Sequence, residues 1–219
     1  DGMGLGVSEL AIIQEEAGYR LLCAPFFPTV CQVAPLLQAC ASDAAKNEYL
    51  PRIATGDLIA SLPLSSAADS GESTEIQAQA QGEQWQLSGC LERVACAEQA
   101  DVIFVFAEHA EDTGLFAVET TAAGFASEPL DTWDATRRFS RMSLDNMAAT
   151  RCDDAQALAA NRAQAAATTR LLIAAEQLGA AQRCLDLTVE YASERKQFGR
   201  VIAGFQAVKH RCAQMMVNI

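Results

Sequence analysis

The side chains with the clearest chemical potential lie close together near the C-terminal end. Tyr191, Arg195, Phe198, Gly199, Ile202, Phe205 and Gln206 fall within one run of sixteen residues. A planar guanidinium suits a bidentate grip on a phosphate. Gln206, eleven residues beyond Arg195, could bring a side-chain amide to the same ligand. The local charge agrees. From Arg195 to Ile219 there are five cations (Arg195, Lys196, Arg200, Lys209 and Arg211) and no carboxylate. The 194 residues before them carry 11 cations and 28 anions, a balance of −17 against −12 for the whole chain. A cationic tip on an acidic protein could meet a small anionic group such as a pyrophosphate. It also fits a solvated helix end, where cations are favoured. From charge alone both readings are open.

Other chemistries are less well supplied. A nucleic-acid partner needs a basic footprint that an acidic chain lacks. The eight cysteines, at 23, 31, 40, 90, 96, 152, 184 and 212, include no C-x-x-C pair, and His109 and His210 lie near no cysteine cluster. We therefore expect no metal site. Most of the cysteines sit among Ala and Leu and read as small buried hydrophobes in a reducing compartment, which makes the cytoplasm the expected location. Glu176 and Glu190 read as carboxylates on a solvated helix face.

The elements that must carry these residues change texture twice along 219 residues, half of them apolar. No run approaches the ~18 apolar residues of a membrane span. Residues 1–58 are rich in Ala, Leu and Cys, with Leu10, Ile13, Ala17 and Leu21 at helical spacing, then Val33, Leu36, Leu37 and Cys40. Ser42 and Asp43 mark a helix start, and Pro51 reads as a break or a new start. Residues 59–150 alternate with period two. Ile76–Gln81 and Gln84–Ser88 form a hairpin about Gly82 and Glu83, and Val102–Phe106 is a strand covered on both faces. Asp112–Gly114 read as a turn into a strand Leu115–Val118, and Met142–Leu144 as a further strand.

Residues 151–219 return to helical period. Leu171, Ala175, Leu178, Leu185, Val189 and Ala192 form a stripe, Gly179 admits a close neighbour, and Gly199 ends the helix with Arg195 in its last turn and Phe198 anchoring the turn. Gln206 lies at the start of a second helix, whose stripe of Phe205, Val208, Cys212, Met215 and Ile219 steps by three and four. The fold class is α+β: a helical N-terminal domain, a small antiparallel β-barrel or sheet, and a C-terminal helical bundle. The first residue is Asp1 and the last stripe stops mid-pattern, so we expect the chain to be a portion of a longer one.

The run Y-x-x-x-R-x-x-F-G-x-x-I-x-x-F-Q, from Tyr191 to Gln206, resembles the signature segment of flavin-dependent acyl-CoA dehydrogenases. The likeness extends upstream. Gly179–Asp186 resembles the helix before that signature, Trp85–Gly89 with Ala100-Asp101 the family's sheet motif, Glu15–Gly18 an early helix, and Tyr49–Pro51 with Gly56 the run into the sheet. Nearly the whole chain is covered, and the helix–sheet–helix order agrees.

The resemblance implies subunits of a dimer or homotetramer that hold FAD and act on an acyl-CoA, passing electrons to an electron-transfer flavoprotein. It implies that Arg195 grips the pyrophosphate of a neighbouring subunit's FAD and that Phe198 and Gln206 belong to the same contact. The loop matching Leu62 to Gly71, including Leu64 and the hydroxyl of Ser65, lies along the flavin. Arg93, Val94 and Ala95 match a segment against the ring, and Arg170 matches an arginine near the acyl-CoA.

Departures from the family pattern accompany these matches. The flavin loop usually reads Leu-Thr/Ser-Glu-Pro followed by Gly-Ser. Here it is Leu64-Ser65-Ser66-Ala67, ending Asp69-Ser70-Gly71. Arg93 stands where an aromatic is common, and Ala167 where an Asp is common. The general base that removes the α-proton is a carboxylate in a later segment in most of the family, and in some members it sits at the position of Thr169, which cannot serve. No catalytic residue is nominated. A second reading follows from the altered loop: a non-catalytic family member that completes the FAD site of a partner in a hetero-oligomer. The run from Leu130-Asp131-Thr132 to Arg137-Arg138 is similar to members acting on bulky CoA thioesters such as steroid side chains.

Overall fold

The computed structural model describes residues 4–63, 76–82, 84–110 and 112–219. These form two compact units, one of Cys23–Thr169 and one of Leu5–Leu22 with Arg170–Ile219, and the long helix α4 (Ala155–Glu194) runs through both. The three-part layout of 1–58, 59–150 and 151–219 is kept as a proposed domain division.

The first unit is a barrel-like sheet with helices on it. Strands β1 (Ala60–Ser61), β2 (Ile76–Gln81), β3 (Gln84–Ala95), β4 (Val102–His109), β5 (Asp112–Glu119), β6 (Phe125–Pro129) and β7 (Phe139–Arg151) make one sheet. The order β4-β2-β3-β7-β5 returns to β4 through a β4–β5 pairing, so five strands close into a ring. β6 is added beside β7, and β1 beside β4. The sheet is mostly antiparallel, but β1 and β2 both run parallel to β4, which corrects the all-antiparallel expectation. The hairpin about Gly82 is present, with Gln81 opposite Gln84 and Gly82 at φ +63°. The β4–β5 turn lies earlier than expected: His109 pairs with Asp112, so Asp112–Gly114 are already strand.

β4 explains its continuous apolar run by facing two cores. Phe104 and Phe106 pack with Val33, Leu36, Leu37, Leu115 and Ala117 beneath the helices. Ile103 and Val105 pack with Leu87, Phe116, Met142 and Met147 inside the barrel. The helices on the outer side are a π-helical turn Phe27–Val33, α2 (Ala34–Cys40) and α3 (Asp43–Thr55). Ser42 caps α3 by accepting from the Ala45 N–H, as its residue type predicts. Pro51 neither breaks nor starts a helix; it lies inside α3, which ends at Gly56 with φ +81°.

The second unit is helical, and its centre is a crossing of two glycines. A Cβ on Gly18 of α1 (Val7–Arg20) would land on the Glu176 carbonyl of α4, and a Cβ on Gly179 would land on the Glu15 carbonyl of α1. The backbones therefore touch at both points. Polar contacts flank the crossing: Gln14, 1% exposed, donates to Glu176 at 3.4 Å, and the Tyr19 hydroxyl donates to Asp186 at 2.9 Å. Glu176 is thus half-buried against α1, not a solvated carboxylate, whereas Glu190 is exposed. The buried seam of α4 also differs from the expected stripe. In this unit Leu172, Gly179, Leu185 and Ala192 are buried, at steps of six and seven, while Leu158 and Ala165 belong to the core of the first unit. Leu171, Leu178 and Val189 lie beside this seam and are exposed. A seven-residue repeat marks a narrow contact line, and of the expected stripe Leu185 and Ala192 lie on it while the others fall beside it.

The cysteines divide by location. Cys31, Cys40 and Cys152 are buried, whereas Cys23 and Cys184 are exposed, so burial holds for fewer of the eight than composition suggested. Burial pushes the Cys152 thiol up to about 12, and Tyr49, packed edge-on to Phe104 at 5.1 Å, is pushed up to about 12 by the same cause.

Two outcomes follow. Gly179→Ala should lower stability by about 2 kcal/mol or more, since the added methyl meets backbone that cannot give way; urea unfolding of the full chain measures it. At alkaline pH, the unfolded chain ionises at Cys152 and Tyr49 before the folded one does. Stability is then fully present below about pH 9 and is lost as pH rises towards 12. The urea midpoint should fall across that window, and Cys152→Ala should remove part of the fall.

Candidate functional site

Arg195 follows the last residue of α4. Its N–H donates to the Tyr191 carbonyl at 2.8 Å, and its own carbonyl accepts from the Ile202 N–H at 2.8 Å. Between these bonds the chain makes a small hairpin of β8 (Lys196–Gln197) and β9 (Arg200–Val201), with Gln197 opposite Arg200. Phe198 and Gly199 are its two turn residues, with φ +52° and +79°. A two-residue loop with both φ positive is a type I′ turn. Glycine enters it freely, while a residue with a Cβ costs about 1–2 kcal/mol there.

The helix therefore ends at Glu194, and Gly199 is a hairpin apex. The expectation of a helix end at Gly199, with Arg195 in its last turn, is corrected. The signal was present in the sequence: an X-Gly pair between short polar arms is a hairpin cue as well as a helix-end cue. Phe198 does not anchor the turn inward. Its ring is 91% exposed, and its ring contact is an edge-on approach to Phe205 at 6.1 Å.

After a single 3-10 turn at Ile202–Gly204, α5 (Gln206–Asn218) begins with Gln206 as its first residue. The Gln206 amide nitrogen lies 3.4 Å from Nε2 of His210, one turn on. Arg195, Phe198 and Gln206, named from sequence, are thus brought into one segment of the second unit, and all three are exposed. Among the described residues none of the five cations from Arg195 to Arg211 forms an ion pair with a carboxylate. Exposed donors free of counter-ions suit an anion delivered from outside the segment. Sequence reasoning counted Arg200 among the cations of this tip and noted His210, but spacing alone does not tie them to Phe205 or Gln206.

The sheet unit holds a second group. Leu62, just after β1, is buried, and beside it Ser61 donates its hydroxyl to the Ala95 carbonyl at 2.6 Å. Val94 and Ala95 are buried at the end of β3. Arg93 precedes them at φ +57°, where the β3–β7 register shifts between Leu91 and Val94, and its side chain is exposed. A bulge re-aims one side chain without interrupting its neighbours. The structure thus ties Ser61, the neighbour of Leu62, to Ala95, while Leu62 and Val94 pack in different cores. Leu64, Ser65 and Gly71 lie outside the described residues. Arg170 is an exposed residue of α4 in the second compact unit.

Comparison with known proteins extends these observations. Residues 146–219 match the family description "acyl-CoA dehydrogenase, C-terminal domain". The chain is similar to acyl-CoA dehydrogenase IpdE2 of Mycobacterium tuberculosis (strain ATCC 25618 / H37Rv), 32% identical over 218 residues, which is 100% of this chain and 54% of the relative. Among solved structures it resembles a chain of the ChsE4–ChsE5 complex from Mycobacterium tuberculosis, with a TM-score of 0.87 and 27% identity over 99% of this chain and 58% of that one. It also resembles a chain of the Tcur3481–Tcur3483 steroid ACAD G363A variant, with a TM-score of 0.83 and 29% identity over 99% and 58%. The chain spans little more than half the length of these relatives.

The turn geometry makes a direct prediction. Gly199→Ala should cost the hairpin about 1 kcal/mol and speed amide exchange across residues 196–201. Phe198→Asn should slow it, because Asn enters the left-handed region more readily. Hydrogen exchange read by mass spectrometry checks both.

Proposed function

Because this chain belongs to the acyl-CoA dehydrogenase family, we propose that it is part of a flavin-dependent acyl-CoA dehydrogenase, an oxidoreductase that places a 2,3-double bond in an acyl-CoA thioester. The observation that carries this reading is the Arg195–Gln206 segment, with an exposed guanidinium and amide in register with the family's signature and cations that form no ion pair among the described residues.

The donor set fits the anionic part of FAD. Arg195 would hold the pyrophosphate, Gln206 and Phe198 would contact the adjoining nucleotide, and the FAD they serve would belong to a neighbouring subunit. Leu62, Leu64, Ser65, Gly71, Arg93, Val94 and Ala95 would line the flavin side of the sheet unit, and Arg170 would lie near the acyl-CoA. Bound FAD supplies the hydride acceptor for the β carbon. Removing the α-proton is a carboxylate's task, and no residue of this chain is assigned to it: Glu176 is engaged with Gln14, and Glu190 matches no catalytic position. The electrons would pass to an electron-transfer flavoprotein. We further propose a cytoplasmic location and a homo-oligomeric assembly, a homotetramer in the first instance. No helix among the described residues is long and apolar enough to cross a membrane.

A specific feature favours a second reading. The Ser66-Ala67 loop and Arg93 depart from the flavin-facing pattern, and one of the similar structures is named as a complex, ChsE4–ChsE5, while another carries the paired name Tcur3481–Tcur3483. On that reading the chain is a non-catalytic subunit of a hetero-oligomer, and Arg195 and Gln206 complete the FAD site of its partner.

Full-length protein separates the two. A yellow preparation that bleaches with acyl-CoA supports the first, and a colourless one that retains flavin only with a partner subunit supports the second. On either reading Arg195→Ala should raise FAD release about tenfold or more, the size of a lost charge-assisted contact. Unchanged release in ultrafiltration would remove Arg195 from the site.

A further inference from the structure

Arg195 and Gln206 stand at the two ends of the hairpin segment, yet each is a flexible, exposed side chain. Something must set the distance between their backbones. The structure places a stack there. The Arg200 guanidinium lies over the Phe205 ring, 4.2 Å from its centroid, and the far edge of that stack is Phe198, 6.1 Å from Phe205 and nearly perpendicular to it. Phe205 is the residue immediately before Gln206 and caps α5, while Arg200 faces Gln197 across the hairpin that starts at Arg195. The Ile202 N–H to Arg195 carbonyl bond closes the same loop. Phe205 makes no side-chain hydrogen bond as cap, so the entry to α5 is held by its ring and backbone.

We infer that Arg200 is a positioning residue: through its cation–π contact with Phe205 it fixes the Arg195 hairpin against the first turn of α5, so that guanidinium and amide reach one ligand together. Its charge acts on the ring, not on the ligand. This rests on the reading of the segment as an FAD contact. The contact is mutually dependent, since losing either partner loses the stack.

The test is a double-mutant cycle in the full-length holoprotein, with its partner subunit if one co-purifies. Arg200→Gln and Phe205→Leu should each speed FAD release by about two- to fivefold, the scale of an exposed cation–π contact. The double variant should release no faster than either single one. Arg200→Lys, which keeps a cation over the ring, should restore most of the loss. Amide exchange at Ile202 should quicken in Arg200→Gln and Phe205→Leu alike. Additive effects on release would mean that Arg200 touches the ligand itself and would overturn the inference, as would unchanged Ile202 exchange. Arg195→Ala serves as the control for the underlying reading. If it leaves FAD release unchanged, the flavin site is misplaced, and Ile202 exchange alone decides whether the stack positions the hairpin.

Discussion

Two backbones in contact organise the second unit. Where α1 meets α4, Gly18 and Gly179 each present bare Cα to a carbonyl of the other helix, and no side chain separates them. Such an approach gives dispersion contact along the backbone but admits no adjustment, because a methyl on either side has nowhere to go. The polar residues beside it follow from that closeness. Gln14 is almost fully buried and must find a partner, which Glu176 supplies; Tyr19 reaches Asp186 in the same way. Glu176 is therefore a structural acceptor, although its position on α4 suggested an idle surface charge.

The segment from Arg195 to Gln206 is built by an opposite principle. Nothing in it is deeply buried, and its order comes from backbone geometry: a bond on each side of Arg195, a two-residue turn that tolerates only left-handed torsions, and aromatic rings that brace the entry to α5. Among the described residues its cations form no ion pair with a carboxylate, so solvent, salt or a bound anion would ease their mutual repulsion. A weakly screened cluster of this sort binds anions more readily at low ionic strength.

Much of this was legible in residues and spacing. Alternation about Gly82 specified the β2–β3 hairpin because one face of a strand repeats every two residues. The unbroken run of β4 specified burial on both faces. Ser42 announced α3, and Gly179 announced a close neighbour, whose identity as α1 is a long-range fact with no local trace. Other features were decided by competition between equal local signals. Phe198-Gly199 serves as either a helix end or a hairpin turn, and the pairing of Lys196 with Val201 chose the latter. Pro51 is tolerated inside α3, although the residue type argues for a boundary. The parallel placement of β1 and β2 against β4 depends on chain crossings that period-two alternation does not encode. In the candidate site, residue types pointed to Arg195 and Gln206, but the stack of Arg200 on Phe205 became visible only with coordinates.

Ring closure of the sheet has a further consequence. Each of the five strands from β4 round to β5 has hydrogen-bonding neighbours on both sides, and the two appended strands are short, β1 with two residues and β6 with five, ending in Pro129. The closing pairings are short, with Gln77 opposite Glu108 between β2 and β4, and Phe116 and Ala117 opposite Arg151 and Thr150 between β5 and β7. Among the described residues, splaying of the ring would begin at these two points, where the fewest backbone hydrogen bonds hold it shut.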